Sequence, residues 1–289
     1  MLLSVITPAY NRAHTLGRCY ESLCEQTDKD FEWIVVDDGS TDGTEELVSG
    51  FSQENKIKVR YFKKENGGKP SAHNAGVRLA VGEMCICVDS DDALTPDAVE
   101  VARKIYESKD FSDCIGILAK RGSFGEVKPL CTSWPESLKR VKMMELQEKY
   151  SFSGDTALFF RTKMMKEHYF PEFSGEKFVP EDALYAELDE VGPMYLADDI
   201  LYLCEYLEDG LTHSYRKLLL RNPMGTAYCY YRRMLATRSI KQKIKNAIIS
   251  EAYLSVSGRR AEYGKTKGRL WLCLAKPIAP IYRKRKIGG

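Results

Sequence analysis

Four short apolar runs, at positions 2–6, 31–36, 59–62 and 84–88, punctuate the start of the chain, and each is followed by a segment that reads as helix. This alternation constrains the fold more than composition does. Strands separated by crossover helices lie parallel in one sheet, with helices on both faces. After the first run, Leu16, Tyr20 and Leu23 fall near helical spacing. Asp42, with Glu45 three residues on, forms a candidate capping box for a helix reaching position 51. A further helix is expected over 71–80, and Thr95 followed by Pro96 reads as the cap and first position of a helix to about 109.

Sheets of this kind bind ligands beyond the carboxyl ends of their strands. Those positions hold Pro8-Ala9-Tyr10-Asn11, Asp37-Asp38-Gly39-Ser40, Asn66-Gly67-Gly68-Lys69 and Asp89-Ser90-Asp91-Asp92. Three carboxylates within four residues repel one another unless a cation sits among them, and all-oxygen donors suit Mg²⁺ or Mn²⁺. An Asp-rich turn that caps the next helix is the plainer reading. Asp38 is a candidate acceptor for a base NH or a ribose hydroxyl, although Asp37-Asp38 equally suits a turn and cap. Tyr10 can lay its ring on a base or serve as surface packing. Lys69 can neutralise a phosphate, with His73 and Asn74 on the following helix, yet neither a GxxxxGK[ST] loop nor a GxGxxG turn is present. Glu181-Asp182 opens a helix, where an acid is stabilised as the anion and can act either as cap or as general base.

Residues 111–209 are less regular, with a strand-like 157–160, a polar loop to Pro180 and a helical 182–191; they can complete the sheet and supply an acceptor face. The C-terminal region differs in charge. Of 43 Lys+Arg and 41 Asp+Glu, residues 210–289 hold 19 basic residues but only Glu251 and Glu262, leaving 24 basic and 39 acidic residues before them. Two oppositely charged bodies joined near Gly210 are expected, 1–209 and 210–289, the first divided into halves 1–110 and 111–209. The basic region reads as helical from Leu218, with Ile240, Ile244 and Ile248 at helical spacing in a helical hairpin. Its excess charge calls for a lipid surface, a nucleic acid or the acidic body itself. Trp271, Ile278 and Tyr282 beside Arg283-Lys284-Arg285-Lys286 resemble an interfacial anchor.

The nine cysteines show no metal-type pairing, so free thiols in a reducing compartment are expected. The first six residues lack a basic leader, and no run of about 20 apolar residues exists. A cytoplasmic protein, peripheral on the cytosolic face of a membrane, fits these features.

Together, Ser4-Val5-Ile6-Thr7-Pro8-Ala9-Tyr10-Asn11, Asp37-Asp38-Gly39-Ser40-Thr41-Asp42-Gly43-Thr44, Asn74-Ala75-Gly76 with Ala80-Val81-Gly82-Glu83, and Asp89-Ser90-Asp91-Asp92 closely resemble family 2 glycosyltransferases of the GT-A fold. The resemblance is strong over residues 2–100, moderate around Glu181-Asp182 and weak beyond about 215. It implies a mostly parallel α/β sheet with a basic helical C-terminal extension. It also implies inverting transfer from a nucleotide-sugar, UDP-linked by preference, to a saccharide or lipid-linked saccharide. Pro8, Tyr10, Asp38, Lys69, His73, Asn74, Asp89 and Ser90 would line the donor site. Asp91 would bind Mn²⁺ or Mg²⁺, with Asp89 and Asp92 as further candidate ligands, and Asp182 would be the base, with Glu181 and Asp155 next in line. The Gly-Gly-Lys turn departs from the commoner family pattern.

Three other readings compete. A phosphatase of the haloacid dehalogenase type also ends a strand in DxD, but usually on the first strand and with Thr or Val where this chain has Ala93. An inactive sugar- or lipid-binding domain keeps the fold without turnover. A nucleic-acid module uses the basic tail and leaves the carboxylates unexplained; no nucleic acid partner is expected.

Overall fold

The computed structural model describes residues 1–125, 127–205, 211–259 and 267–287. The four early runs are β1 (Leu3–Ala9), β2 (Phe31–Asp37), β3 (Val59–Lys63) and β4 (Met84–Cys87), connected by α1 (Leu16–Cys24), α2 (Thr44–Glu54) and α3 (Lys69–Leu79). β5 (Ala93–Leu94), α4 (Ala98–Tyr106) and a 3₁₀ turn (Lys109–Phe111) lead to β6 (Gly116–Ser123). β7 (Arg140–Val141), α5 (Met143–Tyr150), β8 (Thr156–Arg161), α6 (Thr162–Glu167) and, after a helical excursion, β9 (Met194–Cys204) complete this part.

The described strands form one sheet in the order β3-β2-β1-β4-β8-β6-β9-β5, with β7 also on β9. β3, β2, β1 and β4 are mutually parallel. Antiparallel β8 then joins β4 to β6, which runs parallel to β9. The chain winds from β1 outward to β3, then returns to place β4 on the other side of β1. That reversal opens a crevice at the carboxyl ends of β1 and β4.

Residues 31–37 are all buried, as a strand covered on both faces requires. Trp33 and Phe159 lie in the core, and against Trp33 the Tyr20 and Phe51 rings of α1 and α2 stack 4.0 Å apart. Part of the motif set is structural. Ser4 Oγ accepts the N–H groups of Val81 and Gly82 and donates to Glu32, which also accepts from Val81. A Cβ on Gly82 would lie 2.7 Å from the β1 backbone.

Three local expectations change. Gly43, not Asp42, occupies the cap position of α2, and the Asp42 carboxylate accepts from Thr44 N–H and from Ala13 N–H, tying the loop after β1 to the loop after β2. Helix α3 begins at Lys69, two residues early, because Pro70 sits in its first turn without a missing bond. Helix α4 begins at Ala98, since Thr95 donates to the Asp97 carboxylate and its backbone pairs with Leu201, holding 93–95 beside β9.

A second unit consists of residues 170–191 and 206–289, while 192–205 stay with the sheet unit, so 170–191 join the helical body rather than the first 209 residues. Its helices are α7 (Asp182–Val191), α8 (Leu211–Arg221), α9 (Pro223–Ala236), α10 (Ile240–Ser257), α11 (Arg269–Ala275) and α12 (Ala279–Tyr282), followed by a π turn (Arg283–Ile287). The expected junction at Gly210 lies outside the described residues. Glu176 accepts the N–H groups of Met224 and Gly225, neutralising the start of α9. Helices α9 and α10 pack as the expected hairpin, but through Ala247, Ile249, Ser250 and Tyr253, whereas Ile240 and Ile244 are exposed. No helix among the described residues is long and apolar enough to cross a membrane. None of the nine cysteines is in a disulfide.

Candidate active site

The sheet unit gathers most of the residues singled out in the sequence at its carboxyl edge. Pro8 is the penultimate residue of β1, and Tyr10 follows it, half-exposed. Asn11 adopts φ 54°, a conformation tolerated by Asn, which lets its side chain accept from Thr41 while its N–H reaches Ser40. The loops after β1 and β2 therefore behave as one piece.

Asp37 and Asp38 have different jobs. Asp37 is fully buried and accepts from Ser40 N–H and the Tyr61 hydroxyl, which shapes the turn. Asp38 accepts from Lys64 Nζ at 2.7 Å, Gly67 N–H at 2.9 Å and Gly68 N–H at 2.6 Å. Its backbone carbonyl takes the Asn66 amide. Three of its roughly four acceptor sites are thus used by its own neighbours, and the carboxylate fixes the glycine turn that launches α3. Gly68 has φ 87°, a region open to glycine.

From the start of α3, Lys69 Nζ reaches Asp89 at 2.7 Å, bringing together two candidates twenty positions apart. His73 lies half-buried and Asn74 buried on the same helix. At the end of β4 the acids turn sharply, with Asp92 N–H donating to the Asp89 carbonyl and Ser90 buried within the turn. Tyr202 of β9, wholly buried, holds this turn at two points. Its hydroxyl accepts from Asp89 N–H at 3.0 Å and donates to the Asp92 carboxylate at 2.7 Å. The Arg121 guanidinium stacks over the Tyr202 ring at 4.1 Å. Burial, with Asp89 adding repulsion, pushes the Asp92 carboxyl up to about 7 and raises that of Asp91 as well.

This arrangement bears on metal binding. Among the described residues, no three acid, His or Cys side chains converge into a ready-made metal nest. Asp92 is buried with one carboxylate oxygen turned inward onto Tyr202, which makes it the least accessible of the three candidate ligands. Asp89 and Asp91 are two oxygen donors whose mutual repulsion a cation would relieve. They fit an ion of the Mg²⁺ type, which keeps one or two protein carboxylates and takes its other ligands from water and phosphates.

Asp182 opens α7 in the helical unit and lies 3.3 Å from Arg233 Nη1 of α9. Burial pushes its carboxyl above the ordinary carboxylate range, Arg233 opposes that shift and Glu181 adds to it. Asp155 precedes β8 in the sheet unit, its N–H bonded to the Leu130 carbonyl. Sequence reasoning missed Tyr202, Arg121, Lys64 and Arg233. Tyr202 and Asp92 are 110 positions apart, and no local pattern announces a pairing that only the sheet order creates.

Strand order and an acid-rich crevice at the reversal place the chain among α/β proteins that bind ligands at strand ends. Residues 4–169 match the glycosyl transferase family 2 model, and the chain belongs to that family. It is 28% identical over 211 residues to glycosyltransferase GlyG of Streptococcus pneumoniae, an alignment covering 70% of each chain. It is 34% identical over 203 residues to a chondroitin synthase of Escherichia coli, covering 70% of this chain and 28% of that one. An uncharacterized glycosyltransferase of Rickettsia felis is 40% identical over 109 residues, but the match spans only 18% of that relative's length. The fold is that of the GT-A transferases. The UDP-GlcNAc complex of Staphylococcus aureus TarS superposes with TM-score 0.61 at 20% identity, over 95% of this chain and 79% of that one. The GDP-Man and Mn²⁺ complex of a Pyrobaculum calidifontis mannosyltransferase gives 0.57 at 17% identity, over 98% and 87%.

Proposed function

We propose that the chain transfers a sugar from a nucleoside-diphosphate sugar, with UDP the preferred nucleotide, to the hydroxyl of a saccharide or lipid-linked saccharide, with inversion at the anomeric carbon. The observation that carries this reading is the Lys69–Asp89 pair at the mouth of β4, beside Asp91 and the Asp38-anchored glycine turn. A cation and an anion are held 2.7 Å apart where the family places a diphosphate, and each can exchange its partner for part of the incoming substrate. Mn²⁺ or Mg²⁺ held by Asp91 and Asp89 would supply positive charge against the diphosphate leaving group.

The chain's own residues do the rest. Tyr10, half-exposed beside the crevice, offers a face for the base. Asp38 keeps the 64–69 turn in place and has about one acceptor site left for a base N–H. Lys69 moves from Asp89 to a phosphate oxygen, and the α3 residues His73 and Asn74 and the turn residue Ser90 complete the donor lining. Asp182, ionised, takes the proton from the acceptor hydroxyl as its oxygen attacks the anomeric carbon; the bond from that carbon to the diphosphate oxygen breaks and the nucleoside diphosphate departs. A raised carboxyl makes a stronger base once it is ionised, so the environment of Asp182 suits the role.

The test is a donor panel of UDP-, GDP- and dTDP-sugars with Mn²⁺ or Mg²⁺, reading bound and released nucleotide. Cation-dependent binding with turnover supports the proposal. Binding without turnover on any acceptor points to the inactive binding domain, and a trapped phosphoaspartate to the phosphatase.

A further inference from the structure

Four apolar side chains near the C terminus face away from the helical unit: Leu270, Leu274, Ile278 and Ile281 are 67, 56, 44 and 55% exposed. They recur at intervals of four, four and three residues, the spacing that aligns side chains on one face of a helix. The segment is helical through α11, an intervening turn and α12. Leu272, Ala275 and Ala279, on the other side, are buried. The helix is therefore held by one apolar face and presents a second one outward, where a water-facing helix ordinarily carries charge. Trp271 and Tyr282, expected to insert, instead pack inward against the α9–α10 hairpin.

Positive charge flanks this face in sequence, from Arg269 to Lys286. Arg232, Arg233 and Lys267 are neutralised by Glu187, Glu190 and Asp182. Exposed Arg269, Lys276, Lys284, Arg285 and Lys286 form no ion pair among the described residues. The inner side of α11 contributes Trp271 to an open cleft of about 450 Å³ that Lys243 and Lys267 also line. A second copy of the chain would set this basic cluster against itself across a two-fold contact, whereas an anionic surface complements it.

We infer that the Leu270–Leu274–Ile278–Ile281 face docks on an anionic lipid bilayer, lying in the interface without crossing it. Docking needs neither donor nor acceptor, so it stands or falls apart from the transferase reading.

The test is flotation of the full chain with phosphatidylcholine vesicles, with and without phosphatidylglycerol. The wild type is expected to float strongly with the anionic vesicles and weakly with the neutral ones. Replacing Lys284, Arg285 and Lys286 together by Gln removes three charges that each contribute about fivefold near an acidic surface, so binding should fall about 100-fold. Replacing the four exposed apolar residues together by Ser should abolish the part of binding that survives high salt. These side chains are exposed, so thermal melting should match wild type and separate lost docking from lost fold. Flotation of both variants as complete as that of the wild type, or none by the wild type, overturns the inference. So does a wild type that ignores vesicles but sediments as a dimer that the Ser variant dissociates, which would make this face a self-association surface.

Discussion

Replacing Tyr202 by Phe deletes one oxygen and two hydrogen bonds at the turn that carries the acids. The Asp89 N–H loses its acceptor at 3.0 Å and the Asp92 carboxylate loses its donor at 2.7 Å. Water does not simply take over at the Asp92 end, since Tyr202 is fully buried and Asp92 is 5% exposed, whereas Asp89 is only part-buried and loses less. An orphaned buried polar group costs ~1–3 kcal/mol, and a bond to an ionised acceptor contributes at the upper end of that range. Asp92, with its carboxyl pushed up to about 7, is only partly ionised at neutral pH, which reduces its share. The two losses together should destabilise the sheet unit by about 2–4 kcal/mol. The phenyl ring keeps its packing under Arg121, so the core itself is unchanged. Urea unfolding followed by tryptophan fluorescence reads the loss, because Trp33 lies in the same core. Donor titration of the folded variant should also show weaker binding, since Asp89 and Asp91 are no longer held in register. A variant within ~0.5 kcal/mol of wild type and with unchanged donor affinity would show that Tyr202 does not hold the turn.

Asp91→Asn should remove most cation-dependent donor binding, measured by calorimetry with Mn²⁺; full affinity in that variant or in excess chelator would defeat the metal assignment. Asp182→Asn should abolish transfer while leaving donor affinity within about threefold, because a base acts on the acceptor. The acid limb of the rate profile should lie above the ordinary carboxylate value of 3.8, since the base is active only when ionised and its folded pKa is raised. Activity is then lost as pH falls through that raised value, and Arg233→Gln, which removes the opposing charge, should move the limb further up. Gly76→Ala should cost ~1–3 kcal/mol in thermal or urea unfolding by overpacking, because its Cβ would sit 2.2 Å from a methyl of Ile6 on β1.

What could be read in advance divides along lines of range. The strands of the first ninety residues, their parallel direction and the identity of the residues at their ends follow from local pattern, since a strand buried on both faces must be apolar throughout. Most of the residues picked at those ends do sit at the carboxyl edge of the sheet, because β-strand direction and crossover handedness leave little choice. Helix starts were less legible, as with Asp42 and Thr95, whose side chains are recruited by neighbouring loops and turns rather than by the helix they precede.

The sequence by itself determined the alternating strands and helices, the acid cluster after β4 and the excess of positive charge at the C terminus. Only the tertiary structure decided what those groups face. It turned Asp92 inward onto Tyr202, set Lys69 against Asp89, spent Asp38 on its own glycine turn and paired Asp182 with Arg233. It also chose which apolar side chains of the last helices are buried and which are not. The physical reason is the same in each case. Pairing across a sheet or between packed helices joins residues whose separation along the chain carries no periodic signal, and the energy of a charge depends on the partner it finds rather than on its neighbours in sequence.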